Sequence, residues 1–194
     1  MRFTAKQLAL MGMLISLNVA IGGIVHVTKI PIFLDAIGTL IAVLLLGLMP
    51  AVLVGVLSFL IASALINPVY IWFIGTQAII AAFAYVLASR FAVFKSIWRV
   101  VPTGIALGVI AGVVSAPVIV FVFGGVAGSG RDLITAGLLA AGQQVYKAVI
   151  LSGAASEPID KLLQVLAAYY TVKALPKRVL GQFRNRVLEK NGLI

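Results

Sequence analysis

Ten side chains of this 194-residue chain have types suited to holding a small polar molecule: His26, Lys29, Asn67, Tyr70, Trp72, Gln77, Gln143, Gln144, Tyr146 and Lys147. Tyr70, Trp72 and Tyr146 offer faces for stacking a flat ring. Thr76 and Gln77 fall about one helical turn beyond Trp72 and offer hydrogen bonds inside a pocket. Gln143 and Lys147 are four residues apart and share a helix face, a spacing that suits a lid. Each has a plainer reading beside it. Polar groups near a helix end reach water, and Tyr and Trp there form an interfacial belt. Glu157 and Lys161, four apart in the favourable order, can simply pair with each other.

Catalytic chemistry is not visible. No Ser/His/Asp set, no paired carboxylates within an apolar segment and no glycine-rich loop followed by Lys-Ser/Thr occurs. Cysteine is absent and His26 is the single histidine, so thiolate and histidine metal sites are excluded. The expectation is a protein that is not an enzyme and carries no cofactor and no metal.

The elements that must position these residues are membrane helices. The chain is 62% hydrophobic and 10% charged, with a mean hydropathy of +1.18. A soluble domain of this size cannot bury that much apolar surface. The net charge of +10 then reads as membrane orientation, not as a nucleic-acid footprint. The first apolar stretch, 3–27, has no small-residue cleavage site and reads as a retained span. Further spans are expected at 35–49, 51–66, 70–89, 101–123 and 158–175, in one integral membrane domain covering 1–194. Asp35 is the expected N-cap of the second span, Met49-Pro50 a turn, Asn67-Pro68 a breaker, and Pro158 the first turn of the last helix. Gly104, Gly108 and Gly112 form overlapping GxxxG steps, a face for a close neighbour. The stretch 131–155 is helical but impure, and reads either as a lid over the outer face or as an extension of the last span.

Charge decides the count. With both termini cytoplasmic, the inside collects Arg2, Lys6, Arg90, Lys95, Arg99, Lys173, Lys177, Arg178, Arg184, Arg186 and Lys190 against Glu189 alone, while the outside balances four cations with four acids. That split obeys the positive-inside rule and requires an even number of crossings. The expected fold is all-α: a polytopic, multi-pass cell-membrane protein with a six-transmembrane-helix bundle and a helical lid segment on the outer face.

The first helix carries a pattern of its own. Ala5, Ala9, Gly12, Ser16, Ala20 and Gly23 recur at steps of three and four and line one face. Small residues let another helix approach closely in lipid; that helix belongs either to this chain or to a separate subunit. The spans show almost no ionisable groups and no internal repeat, which argues against an autonomous ion-coupled carrier and for a binding subunit that takes energy from elsewhere.

With its size, basic start and basic tail, its AKQLA stripe motif (Ala5 to Ala9, continued by Gly12 and Ser16), and the segments PIFLDAIGTL, GGVAGSGRDL and SEPIDKLLQVLAAY…ALPKR, nearly the whole chain resembles the substrate-binding S components of energy-coupling factor (ECF) transporters. The resemblance implies capture of a small water-soluble vitamin or precursor from outside for ATP-driven uptake. It implies as partners a transmembrane coupling subunit, contacted through Ala5, Ala9, Gly12 and Ser16, and two ATPase subunits that hydrolyse the ATP. Pyridoxine, hydroxymethylpyrimidine, riboflavin and pantothenate types all remain open, the last because Lys147, Lys29 or Arg131 can hold a carboxylate. The alternatives are a membrane-embedded ligand-sensing subunit of a signalling system, a structural subunit without a ligand, and an autonomous carrier.

Overall fold

The computed structural model describes residues 3–183 and 185–194; Arg2 and Arg184, counted above among the inner cations, lie outside them. The described chain is helical with no strand. Helix α1 (Ala5–Thr28) starts at a capping box: Thr4 Oγ1 accepts from the Gln7 amide while Gln7 Oε1 accepts from the Thr4 amide. It is followed by α2 (Ile37–Leu46), α3 (Leu48–Leu65), a 3-10 turn at Pro68–Phe73, α4 (Ile74–Phe91), α5 (Ile97–Phe121), α6 (Asp132–Ala140) and α7 (Val145–Ala174). Two short helices, α8 (Lys177–Leu180) and α9 (Arg186–Lys190), fold the tail.

Four of these segments are long and apolar enough to cross a membrane: Ala5–Thr28, Leu48–Leu65, Pro68–Phe91 and Ile97–Phe121. Large apolar side chains such as Met13, Ile24, Leu65, Val113 and Phe121 face outward, the pattern of a surface solvated by hydrocarbon. Helix α2 is different. At 10 residues it spans about 15 Å, and eight of those residues are buried, so it is a core helix enclosed by its neighbours.

Several boundaries differ from the sequence expectation. Asp35 does not cap α2: the N-cap is Ala36, without a side-chain cap, and its amide donates instead to Gln164 Oε1 of α7 at 2.8 Å. The turn between α2 and α3 falls at Gly47, whose φ of 89° favours glycine. Pro50 therefore lies inside the first turn of α3, where its missing N–H costs nothing. Helix α7 also does not begin at Pro158. It runs 30 residues straight through that proline. The stretch 131–155 is thus divided, with α6 a separate short helix and 145–155 the first third of α7.

The glycine face of α5 meets α7. A Cβ on Gly104 would stand 2.6 Å from Leu162 Cα, and one on Gly108 would overlap the Pro158 backbone. These glycines let α7 approach α5 closely along its middle, which holds the proline-containing turn in place. Between α1, α2 and α3, Asn18 makes a second close junction. Its side chain donates to Thr39 Oγ1 at 3.0 Å and to Ser58 Oγ at 3.1 Å, and accepts from the Gly38 amide at 2.7 Å.

The bundle has two unlike ends. One gathers the α1–α2 loop, the 3-10 turn and the α5–α6 loop. The other gathers Gly47, the α4–α5 connection and the folded tail. There Asn185 donates to the Leu44 and Leu45 carbonyls, and Asn191 donates to the Ala88 carbonyl and accepts from the Phe94 amide. Leu180, Val187 and Leu188 are buried, so the basic tail is an integral plug and not a loose extension.

Candidate functional site

At the loop-rich end the structure encloses a cavity of about 100 Å³, several times the space one water needs. Its aromatic wall comes from Phe33, Phe59, Tyr70 and Phe73, with His26 beside them. Tyr70 packs edge-on against Phe59 at 5.2 Å between ring centroids and lies 6.2 Å from the His26 ring. Asn67 starts the 3-10 turn by accepting from the Val69 amide at 3.0 Å. That cap aims the turn inward and brings Tyr70 and Phe73 to the wall.

The outer closure is the glycine-rich α5–α6 loop. Residues 127–131 line the cavity. Gly130 sits directly on the Ile30 carbonyl, where any Cβ would collide. Lys29 Nζ donates to the Gly128 carbonyl at 2.8 Å, tying the loop to the end of α1. Asp132 anchors the same loop by accepting from the Ser129 amide at 2.8 Å and from the Gly128 amide at 2.5 Å. No residue of 132–155 lines the cavity. Helix α6 instead packs on α7, with Thr135 Oγ1 donating to Ser152 Oγ at 2.8 Å.

The floor is charged. Lys161 of α7 stands 2.5 Å from Asp160, 3.8 Å from Glu157 and 4.0 Å from Asp35. Arg131 is 2% exposed. It donates to Glu157 Oε1 at 3.2 Å, Ser152 Oγ at 3.1 Å and the Val149 carbonyl at 2.6 Å. Gly153 makes room for its guanidinium, since a Cβ there would lie 2.6 Å from Nη2. Asp160 accepts from the Phe33 and Leu34 amides at 2.8 and 2.9 Å and from Gln164 at 2.7 Å. These bonds hold Leu34 at a φ of 52°, a costly conformation for a branched apolar residue, and so fix the loop that carries Asp35. The four helices apolar enough to cross a membrane hold none of these floor charges, which come from α7, the α1–α2 loop and the α5–α6 loop. Glu157, Asp160 and Lys161 fall mid-helix because α7 continues through Pro158.

Gln77 is the exception to this satisfaction. It is 2% exposed and lines the cavity. Its Nε2 donates to Asp35 Oδ1 at a long 3.4 Å, and its Oε1 has no hydrogen-bond partner, alone among buried side-chain polar atoms of the described residues.

Of the ten residues proposed from sequence, His26, Asn67, Tyr70 and Gln77 line this cavity, and Thr76 joins them. Lys29 braces the closing loop from outside. Trp72 is 55% exposed and leans edge-on against Phe123. Tyr146 is 61% exposed, and Gln143, Gln144 and Lys147 stand off the cavity near the start of α7. The sequence reading missed Asp35, Ser115, Glu157 and Lys161 as lining residues. The i, i+4 spacing of Glu157 and Lys161 was the available signal. Asp35 carried a competing signal as a helix cap.

The stripe on α1 faces away from all this. Ala5, Ala9, Gly12, Ser16 and Ala20 are exposed, and a Cβ on Gly12 would meet nothing within 4 Å. The bundle is packed instead by the opposite face, Met11, Leu14, Asn18, Gly22 and Val25. The fold and site together define an all-helical protein with four helices long and apolar enough to cross a membrane and an aromatic-walled cavity, charged at its floor and partly open at the loop-rich end. No family model, curated protein or solved structure matches the chain.

Proposed function

We propose that this chain is the membrane-embedded binding subunit of an energy-coupling factor transporter, capturing a small vitamin-type molecule in the cavity at its loop-rich end. The observation that carries the reading is the division of labour on α1. One face packs the bundle, and Val25 and His26 at its far end reach the cavity. The other face presents exposed small residues, Ala5, Ala9, Gly12, Ser16 and Ala20, and a Cβ on Gly12 would meet nothing within 4 Å. A single rigid helix thus joins a ligand cavity to a surface suited to a separate coupling subunit.

In this reading the chain makes six crossings, with α7 and the α2 segment added to the four apolar helices and both termini cytoplasmic; α2, too short to span alone, crosses inside the bundle, where protein surrounds it. Lys173, Lys177, Arg178, Arg186 and Lys190 at the tail end then face the cytoplasm, as the positive-inside rule requires, and the cavity opens outward through the 127–131 loop. The chain performs no chemistry; ATP is hydrolysed by separate ATPase subunits.

A second reading draws on the buried network. Asp35, Glu157, Asp160 and Lys161 between helices are the kind of groups that ion-coupled carriers use, so an autonomous carrier stands as the competitor. Two measurements separate them. Mass spectrometry of small molecules released from the purified chain, followed by a thermal-shift panel of B vitamins, tests capture, since a specific ligand raises stability by mass action. Vesicles holding this chain alone test transport: uptake driven by a proton or sodium gradient would sink the subunit reading. Ala9→Trp is expected to abolish co-purification with a coupling subunit while leaving ligand binding unchanged; equal loss of both would show that the stripe serves internal packing.

A further inference from the structure

Granting that the cavity captures a small molecule, the geometry points to the class: a flat organic cation, carrying an amidinium or a protonated amine on an aromatic or heteroaromatic ring, held by the Asp35 carboxylate and the Gln77 carbonyl. Three independent observations converge on it.

The first is the orphan acceptor. Gln77 Oε1 is buried without a partner, and a buried acceptor left unpaired costs free energy that a ligand N–H would recover. Reversing the amide would bring oxygen against the Asp35 oxygen it now donates to, so the free group is the acceptor. Its neighbour Asp35 is held only loosely, by Gln77 at 3.4 Å and Lys161 at 4.0 Å. Two adjacent acceptors short of donors call for a ligand that brings donors.

The second is the charge balance. Three carboxylates, Asp35, Glu157 and Asp160, share the floor with two cations, Lys161 and Arg131. One carboxylate is left without a cation; buried, it holds a proton until a counter-charge arrives, and a cationic ligand supplies that charge. The cations are not available to an anion. Arg131 already donates to Glu157, Ser152 and the Val149 carbonyl, and Lys161 lies among the three carboxylates. Lys29 is spent on the closing loop, and Lys147 stands outside the cavity. A carboxylate ligand would therefore have to break bonds already made.

The third is the wall. Phe33, Phe59, Tyr70 and Phe73 line the same space, and aromatic faces attract a desolvated cation as well as stacking a flat ring.

The test uses three probes of one shape and different charge, benzamidine, benzamide and benzoate, against the full-length chain in detergent, by thermal shift and calorimetry. Benzamidine is expected to bind roughly tenfold or more tightly than benzamide, the margin a charge-assisted contact adds, and benzoate not at all. Asp35→Asn should remove the benzamidine margin, bringing benzamidine down to about the affinity that the same variant has for benzamide. Gln77→Leu, which deletes the orphan acceptor, should weaken both N–H-bearing probes, benzamidine and benzamide, without lowering the melting temperature of the empty protein. This variant also keeps the test decisive if Asp35→Asn does not fold. Equal binding of benzamide and benzamidine, or preference for benzoate, overturns the cationic class while leaving ligand capture intact. No binding by any of the three overturns it as well, and capture then rests on the co-purified ligand alone.

Discussion

The two ends of the bundle are built from similar materials and finished differently. At the tail end, Asn185 and Asn191 are polar and close to the core, and both are fully engaged with backbone groups: Asn191 alone bridges Phe94, Ala88 and Val187. At the loop end, Gln77 is just as buried, yet one of its atoms has no partner. Gln77 lines a cavity of about 100 Å³ at the loop end, whereas Leu180, Val187 and Leu188 are buried in the folded tail. Satisfied buried polar groups make structure, and an unsatisfied one beside a void marks the place where something else completes the bonding.

That contrast can be broken at graded cost. The largest effect is expected from Asp160→Ala, which takes the nearest carboxylate from Lys161 and leaves the Phe33 and Leu34 amides without their acceptor; losing one partner of a buried pair costs about 3–5 kcal/mol, read as a large fall in melting temperature in detergent. A fall no greater than that of a surface substitution would mean water already reaches the network. Gly108→Leu comes next, because it drives α5 into the Pro158 turn and costs roughly 2–3 kcal/mol by overpacking. Retained stability there would show that α5 and α7 are further apart than the glycine face implies. At the tail end, Asn191→Ala leaves the Phe94 amide unpaired, for about 1–3 kcal/mol; a neutral outcome would reduce the tail from plug to appendage. Gln77→Leu reverses the pattern. It removes a buried polar group whose oxygen has no partner and whose bond to Asp35 is long at 3.4 Å, so the empty protein should change by less than about 1 kcal/mol, or gain stability. A large loss would place Gln77 among the structural groups and erase the difference between the ends. Ala9→Trp should move stability least, within about 0.5 kcal/mol, since it sits on an exposed face. A larger loss in the isolated chain would show that the α1 stripe is covered.

Much of the fold was legible. The extents of α1, α3 and α5 follow from apolar length and from the breakers around them, and Asn67-Pro68 ends its helix as local chemistry requires. The errors cluster where a local signal has two meanings. Pro158 reads as a helix start because proline suits a first turn. The same residue is tolerated inside α7 because Gly108 presses α5 against it. Asp35 reads as a cap because acids favour helix starts, yet the start of α2 is held from Gln164, 128 residues away. In the site, Tyr70 was found as an aromatic at a helix break and Gln77 as an amide about one turn beyond Trp72. Trp72 shares that break but turns outward.

Composition and periodicity alone therefore determined that this is an all-helical protein with helices apolar enough to cross a membrane, where α1, α3, α4 and α5 run to within a few residues, and that α1 bears a stripe of small residues. These are one-dimensional properties, set by how many apolar residues follow one another and at what spacing. Tertiary structure alone decided that the stripe is exposed, that α7 passes through its proline, and that Asp35, Gln77 and Lys161 meet beside a cavity. The reason is that burial and pairing of a charge depend on what lies opposite it, and in a bundle what lies opposite comes from a helix more than a hundred residues away.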